Sequence, residues 1–150
     1  MKIKNLVNDP KVVEACRLML NYSLDERFLA KVCNSSPFTY THYDPVNVAR
    51  VMKENFPTLE IQVKAYRTWN PFSRVIGYAK GNVIYINTRK INLPIRDRVE
   101  NIMHESLHLI GFRHARDNKA VGDSLKSVPY KVAAIFAEFI FEEDLSILEE

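Results

Sequence analysis

The chain has 150 residues, 47% hydrophobic and 26% charged, which is enough to bury one sizeable core in an ordinary soluble globular composition without repeats, linkers or low-complexity tracts. Its formal net charge of +3 is mild, and Lys and Arg are spread along the sequence apart from Arg89/Lys90 and Arg96/Arg98, which disfavours a nucleic-acid partner. No apolar run reaches membrane-span length and residues 1–13 lack a signal-peptide core, so the reading is a cytoplasmic protein with no membrane partner, its Cys16 and Cys33 two free thiols.

Asp9 and Pro10 form a cap and first-turn pair, and Val12, Val13, Cys16, Leu18, Met19 and Leu20 follow at mostly helical spacing, which predicts a helix over about 9–21. Ser23 reads as the cap of a second helix running to about Cys33. Residues 38–43 alternate aromatic or apolar side chains with Thr and His, the pattern of a short strand. Asp44 and Pro45 repeat the cap signal ahead of a helix that Pro57 closes. Leu59, Ile61, Val63 and Ala65 alternate as in a strand with one buried face, and the following 68–73 stretch reads as a loop. Residues 74–80 and 83–88 flank Gly81 and Asn82 as a β-hairpin. Leu93 and Pro94 open a further helix, 115–126 reads as a polar surface loop, 128–143 as a closing helix, and 144–150 as a frayed end.

The stretch 96–116, RDRVENIMHESLHLIGFRHAR, carries the chemistry. His104 and His108 stand four apart, so on a helix they share one face and can offer ring nitrogens to one metal ion. Val99, Ile102, Met103 and Ile110 form an apolar stripe on roughly the opposite side, giving the helix a core face and a ligand face. Gly111 permits a left-handed exit that returns His114 toward the other two, and three of the chain's four histidines are thereby used. Three neutral imidazoles leave one zinc position open for water, as a catalytic site requires. Glu105, beside the first ligand, can take that water's proton. The remaining histidine, His42, reads as a core-edge residue, and Arg113 and Asp117 as a solvated or ion-paired flank of the third ligand.

The residues HESLHLIGFRH have the spacing HExxHxxGxxH and resemble the metzincin family of zinc metallopeptidases. The resemblance spans residues 37 to about 143. It implies an α+β fold, a small zincin-like domain at 37–150 with a mixed sheet, an active-site helix and a C-terminal helix, and residues 1–36 as an N-terminal helical extension packed on it. It also implies one Zn²⁺ per chain held by His104, His108 and His114, with Glu105 as general base and a protein or peptide as substrate. In the family the strand before the active-site helix is a free edge that pairs with substrate, which points to Val83, Ile84, Tyr85, Ile86 and Asn87. The methionine turn that follows the third ligand is matched by Ser127, Val128, Pro129 and Tyr130, with proline in place of methionine and the Tyr130 hydroxyl available to stabilise an oxyanion.

Leu107–His114 also resembles the zinc motif of bacterial endoribonucleases of ribosomal RNA maturation, HGxxHxxGxDH, and 81–86 resembles the strand before it. Glu105 replaces that family's glycine and Arg113 its aspartate. A zinc-dependent endoribonuclease and a non-catalytic zinc-binding module therefore stand as alternatives to a metallopeptidase.

Overall fold

Three Asp side chains set where the first helices begin. In a computed structural model that describes residues 1–115 and 121–143, Asp9 accepts from the amides of Lys11 and Val12 at 3.0 and 3.1 Å, and Pro10 opens α1 (Pro10–Tyr22). Asp25 accepts from the Arg27 amide at 2.9 Å to open α2 (Glu26–Cys33), and Asp44 accepts from Asn47 at 2.8 Å to open α3 (Pro45–Asn55). Ser23, the sequence candidate for the second cap, instead closes α1 through its amide, which donates to the Met19 carbonyl at 3.1 Å. The carboxylate two residues later takes the capping role.

Four strands, β1 (Lys2–Asn5), β2 (Glu60–Tyr66), β3 (Gly77–Lys80) and β4 (Val83–Asn87), form a mixed sheet in the order β1-β2-β4-β3. β1 and β4 run parallel to β2, and β3 runs antiparallel to β4. Parallel neighbours need a long crossover. Helices α1 to α3 provide it between β1 and β2, and residues 67–76 carry the chain past β4 to the far edge before the turn at Gly81 returns it.

β1 escapes the sequence reading because it is four residues long with Lys at two of them. Backbone pairing fixes it, extended at either end by Lys2 donating to Leu59 and Leu6 to Val63, both at 2.9 Å. Residues 1–36 thus contribute a strand as well as two helices.

Two expectations change. Residues Val83, Ile84, Tyr85, Ile86 and Asn87 do not form a free edge, because β3 folds back outside β4 and pairs with it, leaving β3 and β1 as the edges. Residues 38–43 do not form a strand. Thr39 makes one isolated bridge to Ser127, and the left-handed backbone of Tyr40 (φ 60) interrupts the pleat.

Ile61, Val63, Ile84 and Ile86 bury one face of the sheet. Helix α4 (Ile95–Leu109) passes beneath β3 and β4 and packs between α1 and α6 (Val128–Glu143), while α2 packs on α3 and α6. Met19, Phe28, Ile102, Met103, Phe136 and Phe139 are fully buried where these helices meet, and the Phe28 ring stands edge-on to Phe136 at 4.9 Å. Burying each such side chain contributes about 1.5–3 kcal/mol. The fold is α+β, with six helices among the described residues. Part of the 115–126 stretch read as loop is a short helix, α5 (Val121–Leu125); Asp117 and the 144–150 end lie outside the described residues. No helix among the described residues is long and apolar enough to cross a membrane.

Candidate metal centre

Burial of α4's apolar side fixes the direction of its polar one. Ile95, Val99, Ile102, Met103 and Leu107 are buried, which turns His104 and His108 to one partly open face with ring centroids 4.8 Å apart. Gly111 then adopts a left-handed backbone (φ 104). The Gly111 amide donates to His108 and the Phe112 amide to Leu107, at 3.0 and 3.1 Å, closing the helix end. The reversal brings the His114 ring within 5.1 Å of His104 and 4.7 Å of His108. His104 Nε2 lies 3.1 Å from His108 Nε2 and 3.2 Å from His114 Nε2.

Backbone carbonyls determine what those nitrogens carry. His108 Nδ1 meets the Phe112 carbonyl at 2.8 Å, His114 Nδ1 meets the Ala115 carbonyl at 2.7 Å, and the ring of His104 donates to the Pro129 carbonyl. A carbonyl only accepts, so each nitrogen facing one bears the hydrogen. In a neutral imidazole Nε2 is then left with a bare lone pair. Three lone pairs converge at one point, and they repel unless a cation stands among them. Protons suit this role poorly: burial first, then the neighbouring His108 and His114, push His104 down to about 3, and burial likewise lowers His108. A metal ion fits. Tetrahedral zinc with bonds of about 2.0–2.1 Å separates its ligand nitrogens by roughly 3.3 Å, close to the spacing found here. The three ligand atoms lie within 4.8 Å of one another, so the set could hold a metal, with carbonyls orienting each ring from behind.

Glu105 lies on the sheet side of α4, 6% exposed, and the backbone amide of Ala79 in β3 donates to its carboxylate. Burial nevertheless pushes this carboxyl up to about 8. Tyr66 is also near enough to feel the Glu105 charge, and its hydroxyl is buried with no hydrogen-bond partner among the described residues.

Tyr130, in the first turn of α6 and 38% exposed, packs its ring 4.4 Å from His104 and 4.8 Å from His114. The turn that leads to it is tightly bonded. Ser127 donates to the Ser124 carbonyl through both its amide (3.0 Å) and its hydroxyl (2.5 Å), and Lys131 N donates back to Ser127 at 2.8 Å. Ser124 Oγ accepts from the Ala115 amide at 3.2 Å, joining this turn to the residue after His114, and the Thr39 hydroxyl donates to the Asp123 carbonyl from the 38–43 segment.

The structure therefore brings together His104, His108, His114 and Tyr130, with Gly111 at the reversal, and holds Glu105 on α4 against β3. It does not bring β4 to the cluster as an edge; the strand touching Glu105 is β3. His42 is exposed and outside the group, as is Arg113. Cys16 and Cys33 are free; Cys16 is buried in α1, where burial pushes its thiol up to about 11. Sequence reasoning missed the Phe112, Ala115 and Pro129 carbonyls and the Ala79 amide, which any residue type supplies, and Ser124 and Tyr66, which no motif marks. Comparison of the chain with protein-family models, curated proteins and solved structures finds no significant match.

Proposed function

We propose that the chain is a zinc-dependent metallopeptidase of metzincin type. The observation that carries this reading is the convergence of the His104, His108 and His114 Nε2 atoms, with the buried Glu105 carboxylate on the helix that supplies the first two. His104, His108 and His114 would hold Zn²⁺, which supplies Lewis acidity and a water of lowered pKa. Glu105 takes the proton of the attacking water and returns it to the leaving amine. Tyr130, packed on two of the ligands, donates its hydroxyl to the developing oxyanion.

Support for an extended peptide substrate comes from β3. It is the sheet edge next to α4, its outer side has no strand partner among the described residues, and its Ala79 amide rests on Glu105. A peptide added alongside β3 runs past the general base.

The test compares wild type with Glu105→Gln on a mixed peptide library and a structured RNA, with zinc content measured in both. Zinc in both proteins with peptide cleavage reduced about 10²- to 10⁴-fold in Glu105→Gln is expected. RNA cleavage by both proteins would replace the peptidase reading with the nuclease one.

A further inference from the structure

The sheet gathers charges that lie scattered in the sequence. Residues 60–90 hold six Lys or Arg against one acid, Glu60, a local net of +5 in a chain whose total is +3. Lys2 and Lys4 of β1 add to the same sheet, so the remainder of the molecule is net negative. Strand alternation decides where the side chains go. With Ile61, Val63, Ile84 and Ile86 turned to the helices, their sequence neighbours turn the other way. The pairing register then places Lys4, Gln62, Val83 and Lys80 in one row across that outer face, and Lys64, Tyr85 and Tyr78 in the next. Glu60, the one acid on this face, is paired with Lys2 at 3.9 Å.

The aromatic residues lie between these charges. Tyr78 and Tyr85 are stacked at 4.7 Å with 18° between their planes, Tyr66 stands edge-on to Tyr78 at 4.9 Å, and Tyr78 remains 40% exposed. Just beyond the strand ends, the 67–76 loop holds Trp69 and Phe72 at 96% and 88% exposure, flanked by Arg67 and Arg74. Exposed aromatic rings interleaved with cations on an open surface match a chain of phosphates and unstacked bases: phosphate charge meets Lys and Arg, and base faces meet ring faces such as those of Tyr78, Trp69 and Phe72. A bilayer would take up Trp69 and Phe72 but leave unused the strand face beside them, which offers mainly tyrosines, lysines and Gln62.

We infer that the outer face of this sheet, with the loop that carries Trp69, binds single-stranded nucleic acid. The surface is separate from the histidine cluster and does not rest on the peptidase reading. Binding involves no bond-making step, so it is measured apart from any hydrolysis.

The experiment titrates full-length protein carrying Glu105→Gln into a fluorescein-labelled 12-nucleotide oligo(U), following anisotropy together with emission from Trp69, the chain's only tryptophan. Expected is saturable binding with Trp69 quenching. If Lys4, Lys64 and Lys80 each neutralise one phosphate, raising salt from 50 to 200 mM weakens binding roughly 15- to 20-fold. Lys64→Glu with Lys80→Glu should weaken it at least about tenfold and Tyr78→Ala at least about fivefold, while Lys53→Glu on α3 leaves it unchanged. Circular dichroism and zinc content are followed for every variant. Equal binding by wild type and the Lys64/Lys80 variant, or a Trp69 response to phosphatidylserine vesicles but not to the oligonucleotide, would overturn the inference.

Discussion

Glu105 and His104, neighbours in sequence, are driven in opposite directions by the same burial. Burial pushes the Glu105 carboxyl up to about 8 and the His104 imidazole down to about 3, because each loses hydration of its charged form. In zinc-free protein the sign of each effect on stability follows. Between its ordinary 4.5 and about 8, folded Glu105 keeps a proton that the unfolded chain releases, so its contribution is full below 4.5 and is lost as pH rises through 8. His104 does the reverse: its contribution is full above 6.5 and is lost as pH falls toward 3. The thermal midpoint of chelator-treated protein should therefore peak in weak acid. Glu105→Gln, which keeps an acceptor for the Ala79 amide and carries no charge, should raise that midpoint by about 3–10 °C at pH 8.5 and leave it nearly unchanged at pH 5. Equal midpoints at both pH values would mean that Glu105 is not desolvated as described. At this scale the sequence was informative, since the spacing of His104, Glu105, His108, Gly111 and His114 names the groups. It could not reveal the Phe112, Ala115 and Pro129 carbonyls behind the rings, because a backbone acceptor leaves no mark in residue type.

The reversal at Gly111 is the element-scale counterpart of the motif. Its φ of 104 lies where side chains other than glycine are strained, and a Cβ there would meet nothing within 4 Å. Gly111→Ala thus tests backbone strain alone. A cost of about 1–3 kcal/mol, expressed in the placement of His114, should lower zinc affinity roughly 5- to 150-fold with little change in helix content by circular dichroism. An unaltered zinc affinity would show that the reversal does not set the third ligand.

Helix starts at Asp9 and Asp44 and the hairpin turn at Gly81 were legible, because each depends on local chemistry. The order of strands was not. Alternation over 83–87 identifies a strand, but nothing in those residues says that β3 will dock outside it rather than leave an edge. The contact between β3 and Glu105 follows from that docking. Gly77 allows the close approach: a Cβ there would stand 2.5 Å from the Tyr85 carbonyl oxygen.

At the scale of the whole molecule, one core joins the N-terminal helices to the site. Val12, Leu18 and Met19 of α1 and Phe28 and Leu29 of α2 are buried in the same cluster as Ile102 and Met103 of α4 and Phe136 of α6. α1 packs directly on the helix that carries His104 and His108. Deleting residues 1–36 should therefore abolish the cooperative thermal transition and zinc binding together. A truncated chain that melts cooperatively with zinc bound would show that the segment is dispensable. Charge, too, reads differently in three dimensions. Lys4, Lys64 and Lys80 look dispersed along the sequence, yet strand pairing sets them on one face.

The central claim is that three histidines hold one zinc ion with a position left open. X-ray absorption at the zinc edge of the loaded protein tests it most directly. Three nitrogen ligands at about 2.0–2.1 Å and one oxygen are expected, with the oxygen retained and one nitrogen lost in His114→Ala. A fourth protein ligand closing the site, or a zinc environment unchanged by His114→Ala, would contradict the account.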